Sequence, residues 1–348
     1  MEAYTETFFG LDYPTWWFLV MGALFSGYAI LDGFDLGAGA WHLFLKKEES
    51  RRVALNAIGP VWDGNEVWLV IGGGALFAGF PEVYATLFSG MYIPFMLFLT
   101  FLIFRAISIE FRSKEEMKWW KNTWDISYSV SSIMLAFLLG VVLGNVLQGI
   151  AIGPDKEFQG HWLEFINPYA LLVGLTTLTL FMMHGAFYLA MKTEGRLFAK
   201  MTILLKNATI AFMIAFGLLT VATLIFFPHM SDKFQEVPIL FLVPTLLILV
   251  VAAIPREISK RRYSRGFLLS AITVSLMLIV VAIELYPVVL PSNMNPAYSL
   301  DVYKAASSEG SLKNMLTIAA IGTPLVLTYT AVVFWTFRGK VMMDENSY

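Results

Sequence analysis

Four acidic side chains occur as two pairs within strongly apolar stretches of the chain. The stretch "LDGFDLGAGAW" carries Asp32 and Asp35, and "GPVWDGNEVWLV" carries Asp63 and Glu66. Residues three apart on an α-helix lie on nearly the same face, so each pair would point in one direction. A carboxylate near the bilayer centre costs about 2.5–3.5 kcal/mol on insertion scales. Since a protonated carboxyl can both donate and accept a proton, the cluster is typical of a proton route through a membrane.

The same acids also have a purely structural interpretation. They could cap broken helices, pair with a buried amide such as Asn56 or Asn65, or form a cluster kept neutral by protonation. The step Gly59-Pro60 and the surrounding glycines favour close helix packing or a break in the helix. Trp62, which borders the second pair, could serve packing alone. Both interpretations remain open at this point.

The composition identifies the class of protein that contains these acids. The chain has 348 residues, of which 57% are hydrophobic and 14% charged, with a mean hydropathy of +0.67. A soluble domain is nearer half apolar and a quarter charged, so this is an all-α polytopic membrane protein. The absence of cysteine excludes disulfides, thiolate metal sites and cysteine nucleophiles. No linker is visible, so we expect one membrane domain over 1–348.

Hydropathy predicts nine membrane-spanning helices, because a span needs about 20 mostly apolar residues. The expected spans are 15–44, 54–80, 83–105, 121–148, 168–191, 200–227, 237–254, 265–290 and 314–337. The first fourteen residues contain no Lys or Arg, unlike a secretory signal, so the first apolar segment is expected to remain as a helix.

The distribution of Lys and Arg predicts the orientation of these spans. Basic residues concentrate in the connections after the first, third, fifth and seventh spans and in the carboxyl-terminal tail. Arg105 is counted with the connection after the third span. The opposite side holds only four of the 24 basic residues, namely Lys156, Lys233, Lys304 and Lys313. The positive-inside rule then places the amino terminus outside and the carboxyl terminus in the cytoplasm.

Other ionisable residues in or near the spans are weaker candidates. We expect Asp125 to form an interfacial salt bridge beside Arg- and Lys-rich sequence. Glu284 lies near the outer edge of its span and is either an exit group or simply interfacial. His184 is the only histidine clearly inside a span, and we expect a hydrogen-bonded packing role. The sequence lacks the two well-spaced intramembrane histidines that a bis-histidine haem requires.

The chain as a whole resembles subunit II of the cytochrome bd-type quinol oxidases. The string "ILDGFDLGAG" followed by "NAIGPVWDGNEVWLVIGGGALFAGFPEVYATLFSG" carries the resemblance. It continues through "FRSK", "WWKNTWD", "GVVLGNVLQG", "INPYALLVGL" and "LYPVVLPSN" to the final helix. The "GPVWDGNEVW" string is specific to that family, and the similarity covers essentially the whole chain.

The resemblance implies a fold, a partner and an activity. Members of the family have two four-helix bundles plus one peripheral helix. They form a heterodimer with a haem-bearing subunit I in the bacterial cytoplasmic membrane, in some cases with a small single-helix subunit. Subunit I carries haem b, haem d and the quinol site, so this chain is expected to ligate no haem or metal and to hold no catalytic residue. The complex oxidises quinol and reduces oxygen to water.

The resemblance also implies roles for the acids. The acids correspond to a cytoplasmic proton-uptake route in the family. Asp63 is the foremost candidate for this route, and Trp62 lines the route beside it. Asp32 and Asp35 follow, and then Glu66. Some relatives have a histidine before "WDGN", but this chain has Val61, so a relay through that position is absent.

Two other functions compete with the oxidase subunit. A proton-coupled secondary transporter would bind its coupling ion at acids near the midplane, but its usual inverted repeat is not evident. A purely structural scaffold would require the acids to be inert. The expected partners are subunit I, in some relatives a small single-helix subunit, membrane lipids, and quinol through subunit I. Neither the composition nor any motif indicates nucleic acid.

Overall fold

A computed structural model describes residues 7–342 of the chain. The expected positions of the two chain ends, outside for the amino terminus and cytoplasmic for the carboxyl terminus, fall on 1–6 and 343–348. Those residues lie outside the described range.

The described residues form twelve α-helices and two small hairpins. The helices are α1 (Tyr13–Trp41), α2 (Glu48–Ile58), α3 (Trp62–Gly79), α4 (Pro81–Gly90), α5 (Tyr92–Phe111), α6 (Lys118–Gln148), α7 (Pro168–Lys192), α8 (Gly195–Phe226), α9 (Asp232–Glu236), α10 (Leu242–Ser259), α11 (Tyr263–Leu285) and α12 (Glu309–Thr336). The antiparallel hairpins are β1 (Thr7–Phe8) with β2 (Leu11–Asp12), and β3 (Val288–Leu290) with β4 (Leu300–Asp301).

The helices confirm an all-α polytopic membrane protein. Within 7–342, eight helices are long and apolar enough to cross a membrane, or up to nine if the pair α3 and α4 counts as one span. These two helices meet at an angle of 119°.

The second and third predicted spans have different bounds in the structure. The expected helix over 54–80 is divided, because α2 ends at Ile58 and α3 begins only at Trp62. Pro60 in this break has no backbone N–H to continue a helix, and Pro81 ends α3 in the same way. The third span begins at Tyr92 rather than at 83, since 81–90 form the short, separate helix α4.

Helices α1 and α7 cross at the centre of the molecule in direct backbone contact. A Cβ atom added to Gly37 would lie 1.8 Å from the carbonyl oxygen of Phe181, and one added to Gly185 would lie 2.4 Å from the backbone nitrogen of Ala38. Small residues allow membrane helices to approach this closely, and van der Waals packing then holds them together. The second half of α1, which carries Asp32 and Asp35, is therefore held rigidly against α7.

We expect Gly37→Val to destabilise the protein by about 1–3 kcal/mol or more, the usual cost of overpacking a core. The reason is that the new side chain would meet backbone rather than a movable side chain. Thermal unfolding of the purified protein measures the effect. Gly22→Val on the same helix is the matched control, because a Cβ at Gly22 meets nothing within 4 Å in the described structure. An unchanged midpoint for Gly37→Val would contradict the close crossing.

Two apolar clusters divide the interior. The larger one fills the space among α1, α2, α5, α6, α7, α8, α10 and α11. The second lies where the ends of α1 and α3 meet α4, the loop 149–167 and the β3–β4 hairpin. The loop and the hairpin are joined by hydrogen bonds such as Ile150 N to Pro291 O at 3.0 Å. This second cluster closes one end of the helix bundle.

Helix α12 lies at the periphery. Only Leu312 among its residues is buried, and Tyr329 and Trp335 are 62% and 68% exposed. Its contacts with other helices are chiefly with α1. A helix this exposed in a membrane protein faces lipid or another chain.

Candidate functional site

Asp32 forms a buried ion pair that anchors the candidate site. Arg105 of α5 donates through Nη2 to Asp32 Oδ1 at 2.6 Å and through Nη1 to Asp32 Oδ2 at 3.1 Å. Neither side chain is exposed at all. This two-pronged geometry is the strongest that a guanidinium and a carboxylate can form. The pair joins α1 to α5 inside the membrane domain.

Asp35, one turn further along α1, has no cation of its own in the described structure. Asn65 of α3 donates through Nδ2 to Asp35 Oδ2 at 2.7 Å and also contacts the carbonyl of Leu31 at 3.2 Å. The other carboxyl oxygen, Oδ1, is buried and has no hydrogen-bond partner within 7–342. Of the two amides named from the sequence, Asn65 thus donates to an acid. Asn56 instead donates to the carbonyl of Arg52 at 2.8 Å.

Glu66 completes the cluster from α3. Arg105 Nη1 lies 3.4 Å from Glu66 Oε2, and the Glu66 side chain is 16% exposed. Tyr28, one turn before Asp32 on α1, is also buried, and its side chain lies beside Asp32. Arg105, Asp32, Asp35, Glu66 and Asn65 are called the acid–arginine cluster below.

The structure separates Asp63 from this cluster. Asp63 lies in the first turn of α3 and is exposed, on the same side of the helix as the exposed residues Val67, Val70 and Phe77. Trp62, its neighbour, turns the other way and packs into the larger apolar cluster. The two acids of this pair therefore differ, since Glu66 contacts Arg105 and Asp63 faces outward.

The depth of the cluster follows from helix geometry. Asp35 and Asp32 lie six and nine residues from the end of α1 at Trp41, which corresponds to about 9 and 14 Å along the axis at 1.5 Å per residue. Arg105 lies six residues before the end of α5 at Phe111. The cluster is therefore inside the hydrophobic layer, nearer to the side where α1 and α5 end.

Arg105 does not lie where the distribution of basic residues predicts. It is not part of the connection after the third span, because it lies within α5 and is fully buried. Its apolar surroundings in "FLIFRAIS" were the available signal. A charged residue in such a segment requires a partner inside the protein, and the unpaired acids of the neighbouring spans were the candidates.

The charges of the cluster do not balance among its own members. Three carboxylates, from Asp32, Asp35 and Glu66, face a single guanidinium. Uncompensated charge away from water is costly, and a carboxyl group avoids the cost by taking up a proton. The arrangement is thus chemically suited to binding and releasing protons.

A second ion-pair network lies at the end of α1 and confirms the expectation for Asp125. Arg51 Nη1 donates to Asp125 Oδ2 at 2.8 Å, and the same carboxylate accepts hydrogen bonds from Arg112 and His42. Arg112 also pairs with Glu48 at 2.9 Å. The network connects α1, α2, α5 and α6, so its role is to hold these helix ends together.

The remaining candidates also have identified surroundings. His184 Nδ1 shares a hydrogen bond with Ser270 Oγ at 2.7 Å, and its Nε2 lies 3.0 Å from the carbonyl of Ile30. Its ring stacks on Phe267, as expected for a packing residue. Glu284, at the other end of the bundle, has a buried Oε2 without a partner in the described structure. Residues 7–342 contain no group of three or more His, Cys, Asp or Glu side chains placed to hold a metal ion.

Comparisons with known proteins agree with one another. Residues 13–337 match the model of the family described as cytochrome bd terminal oxidase subunit II. Cytochrome bd-I ubiquinol oxidase subunit 2 of Escherichia coli (strain K12) is 31% identical over an alignment of 360 residues, which covers 94% of this chain and 95% of that protein.

Two further similarities extend this result to another organism and to a solved structure. Cytochrome bd ubiquinol oxidase subunit 2 of Bacillus subtilis (strain 168) is 34% identical over 336 residues, with 94% and 97% coverage. A chain of the bd oxidase structure from Geobacillus thermodenitrificans has the same fold, with a TM-score of 0.77, 17% identity and coverage of 94% and 98%. The long family match and these identities over nearly the full length establish that the chain belongs to the cytochrome bd terminal oxidase subunit II family.

Proposed function

We propose that this chain is the non-haem subunit of a bd-type quinol oxidase in a bacterial cytoplasmic membrane, and that it supplies protons to the oxygen-reducing centre. The relatives named as subunits of ubiquinol oxidases support the reaction. The observation that carries the proton-supplying role is the buried carboxyl of Asp35, which has one free oxygen and no cation of its own in the described structure. Such a group can gain and lose a proton without breaking an ion pair.

The haems of the complex would belong to the partner, subunit I. The hydrogen bonds of the two buried histidines support a structural role, and Nδ1 of His42 is buried without a partner in the described structure. Both ring nitrogens of His184 lie within hydrogen-bond distance of neighbours, and Nε2 of His42 is bonded to Asp125. Reduction of oxygen consumes protons, so the contribution of this chain would be to deliver them and to stabilise subunit I.

The exposed side of α3 is the proposed docking surface for subunit I. It presents Asp63 in line with Val67, Val70 and Phe77, of which Val70 and Phe77 are 69% and 60% exposed. An ionisable group at this depth is costly against lipid, whereas a partner protein can supply polar atoms or water. We therefore place Asp63 at the subunit interface, with Glu66 as the nearest member of the acid–arginine cluster along α3.

The finer topology is part of the same proposal. Counting α3 and α4 as one broken span gives nine spans, with α12 as the peripheral helix and the carboxyl terminus in the cytoplasm. Arg105 does not belong to a connection between spans, but the other basic residues of the connections still lie on the side predicted to be cytoplasmic. The ion-pair network around Asp125 would then lie at the cytoplasmic surface, and the acid–arginine cluster just within it.

The test of the oxidase assignment is a visible absorption spectrum of the complex purified through a tag on this chain. We expect haem bands from a co-purifying subunit, together with quinol-dependent oxygen consumption. A proton-coupled transporter would purify without haem. A colourless preparation that is monodisperse and folded would contradict the assignment.

A structural scaffold without any proton role is the second function that an observation favours. The ion pair between Arg105 and Asp32 could serve to join α1 and α5, as the network around Asp125 joins helix ends. Substitutions at Asp35, which takes part in no ion pair within 7–342, separate the two functions and are described in the Discussion.

A further inference from the structure

A small cleft lies between the beginning of α3 and the last turns of α12, which ends at Thr336. Pro60, Gly64 and Asn65 form one wall, and Tyr329 and Thr330 contribute to the other. The cavity volume available to the centre of a water molecule is about 10 Å³. One water molecule requires roughly 10–15 Å³ on this measure, so the cleft is about the size of a single water molecule.

The cleft results from local sequence on both sides. Pro60 interrupts the helix ahead of α3, and Gly64 has no side chain to fill the gap. A Cβ atom at Gly64 would lie 3.7 Å from Tyr329 Cε1 and 4.0 Å from its hydroxyl oxygen. Any longer side chain would therefore extend into the space between the two helices. Glycine at this position keeps the cleft open.

The cleft reaches the acid–arginine cluster through Asn65. This residue lines the cleft and, only 2% exposed, also donates to Asp35 Oδ2. The other oxygen of Asp35 is fully buried and unpartnered in the described structure. One side chain thus separates the cleft from the carboxyl that lacks a counter-charge.

The position of the cleft along α12 places it near the side where protons would be taken up. Tyr329 lies seven residues before the end of α12 at Thr336, which is about 10 Å along the helix. Just beyond that end, the Lys340 ammonium donates to the carbonyl of Thr193 at 2.9 Å, next to the end of α7. The cleft therefore opens at the same end of the bundle as the Asp125 network.

We propose that this cleft gives a single water molecule access to Asp35, and that the Tyr329 hydroxyl holds this water opposite Gly64. The inference rests on the proposed proton-supplying function and names the path by which the proton arrives. When the Asn65 side chain turns aside, an O–H bond of the protonated water breaks as an O–H bond forms on the ionised Asp35 carboxyl, and neutral water remains. The carboxyl later releases that proton toward the oxygen-reducing centre and returns to its ionised form.

Two substitutions test the access without touching the acids. Gly64→Val fills the cleft, and Tyr329→Phe removes only a hydroxyl from a side chain that is largely exposed. In the whole purified oxidase, each is expected to lower oxygen consumption by about tenfold, which is less than the roughly hundredfold loss typical of a missing acid or base. Each should also increase the ratio of the rates in H₂O and D₂O, while the haem spectrum stays normal.

Gly217→Val is the matched control and should behave as the parent enzyme. Gly217 is exposed within α8, and a Cβ atom added there would meet nothing within 4 Å in the described structure. If Gly64→Val fails to assemble, Tyr329→Phe decides alone. Parental rates and isotope ratios in the assembled variants, combined with a large loss in Asp35→Asn, would overturn the access path only. Parental rates in Asp35→Asn as well would overturn the proton-supplying function itself.

Discussion

Asp35→Asn is expected to lower quinol-dependent oxygen consumption by roughly a hundredfold or more, the usual effect of removing a group that transfers protons. The amide has the same shape and can still accept the hydrogen bond that Asn65 donates at 2.7 Å. It cannot take up and release a proton at neutral pH. The haem content of the purified complex should therefore remain normal while turnover falls, as measured with an oxygen electrode and a visible spectrum.

Two further acids serve as comparisons for Asp35. Glu284→Gln changes an acid at the opposite end of the bundle from the acid–arginine cluster, and it should leave turnover unchanged. Asp63→Asn tests the residue that the sequence alone favoured most. If Asp63 is the outer member of the route at the subunit interface, its loss should slow turnover less than the loss of Asp35, because water can replace an exposed group. Normal turnover in Asp35→Asn would leave the scaffold function as the better explanation.

Arg105→Met is expected to destabilise the protein by about 3–5 kcal/mol, because it leaves Asp32 as a buried charge without its partner. Both side chains are completely buried, and the guanidinium also contacts Glu66. We expect little assembled complex in the membrane and a clearly lower thermal unfolding midpoint for what remains. Arg196→Met, at an exposed position near the start of α8, is the matched control and should have the parental midpoint.

A double substitution identifies the reason for the loss. Asp32→Asn combined with Arg105→Met removes both charges of the pair, so the double variant should regain much of the stability that Arg105→Met loses. A double variant that is as unstable as Arg105→Met would show that packing of the arginine, rather than the unpaired carboxylate, causes the effect. This outcome would contradict our account of the ion pair.

The sequence predicted the membrane helices, and the acids within them, most accurately where the signal depends on neighbouring residues alone. Hydropathy over about 20 residues depends on neighbouring residues alone, so most spans were placed within a few residues of the helices observed. The prediction was less accurate over 48–90. Two prolines divide this region into three helices, although its average composition remains that of a membrane segment. Proline signals a break, but the angle of 119° between α3 and α4 depends on what each helix packs against.

By itself, the sequence determined that four acids lie within or beside membrane helices, that no cysteine chemistry is available, and that the chain resembles a known family. Only the tertiary structure decided which acids meet. Asp32 and Glu66 contact Arg105 and Asp35 accepts from Asn65 beside them, whereas Asp63 faces outward. The physical reason is that a buried charge is stabilised by atoms within a few ångströms, and Arg105 comes that close to Asp32, 73 residues away, through helix packing alone.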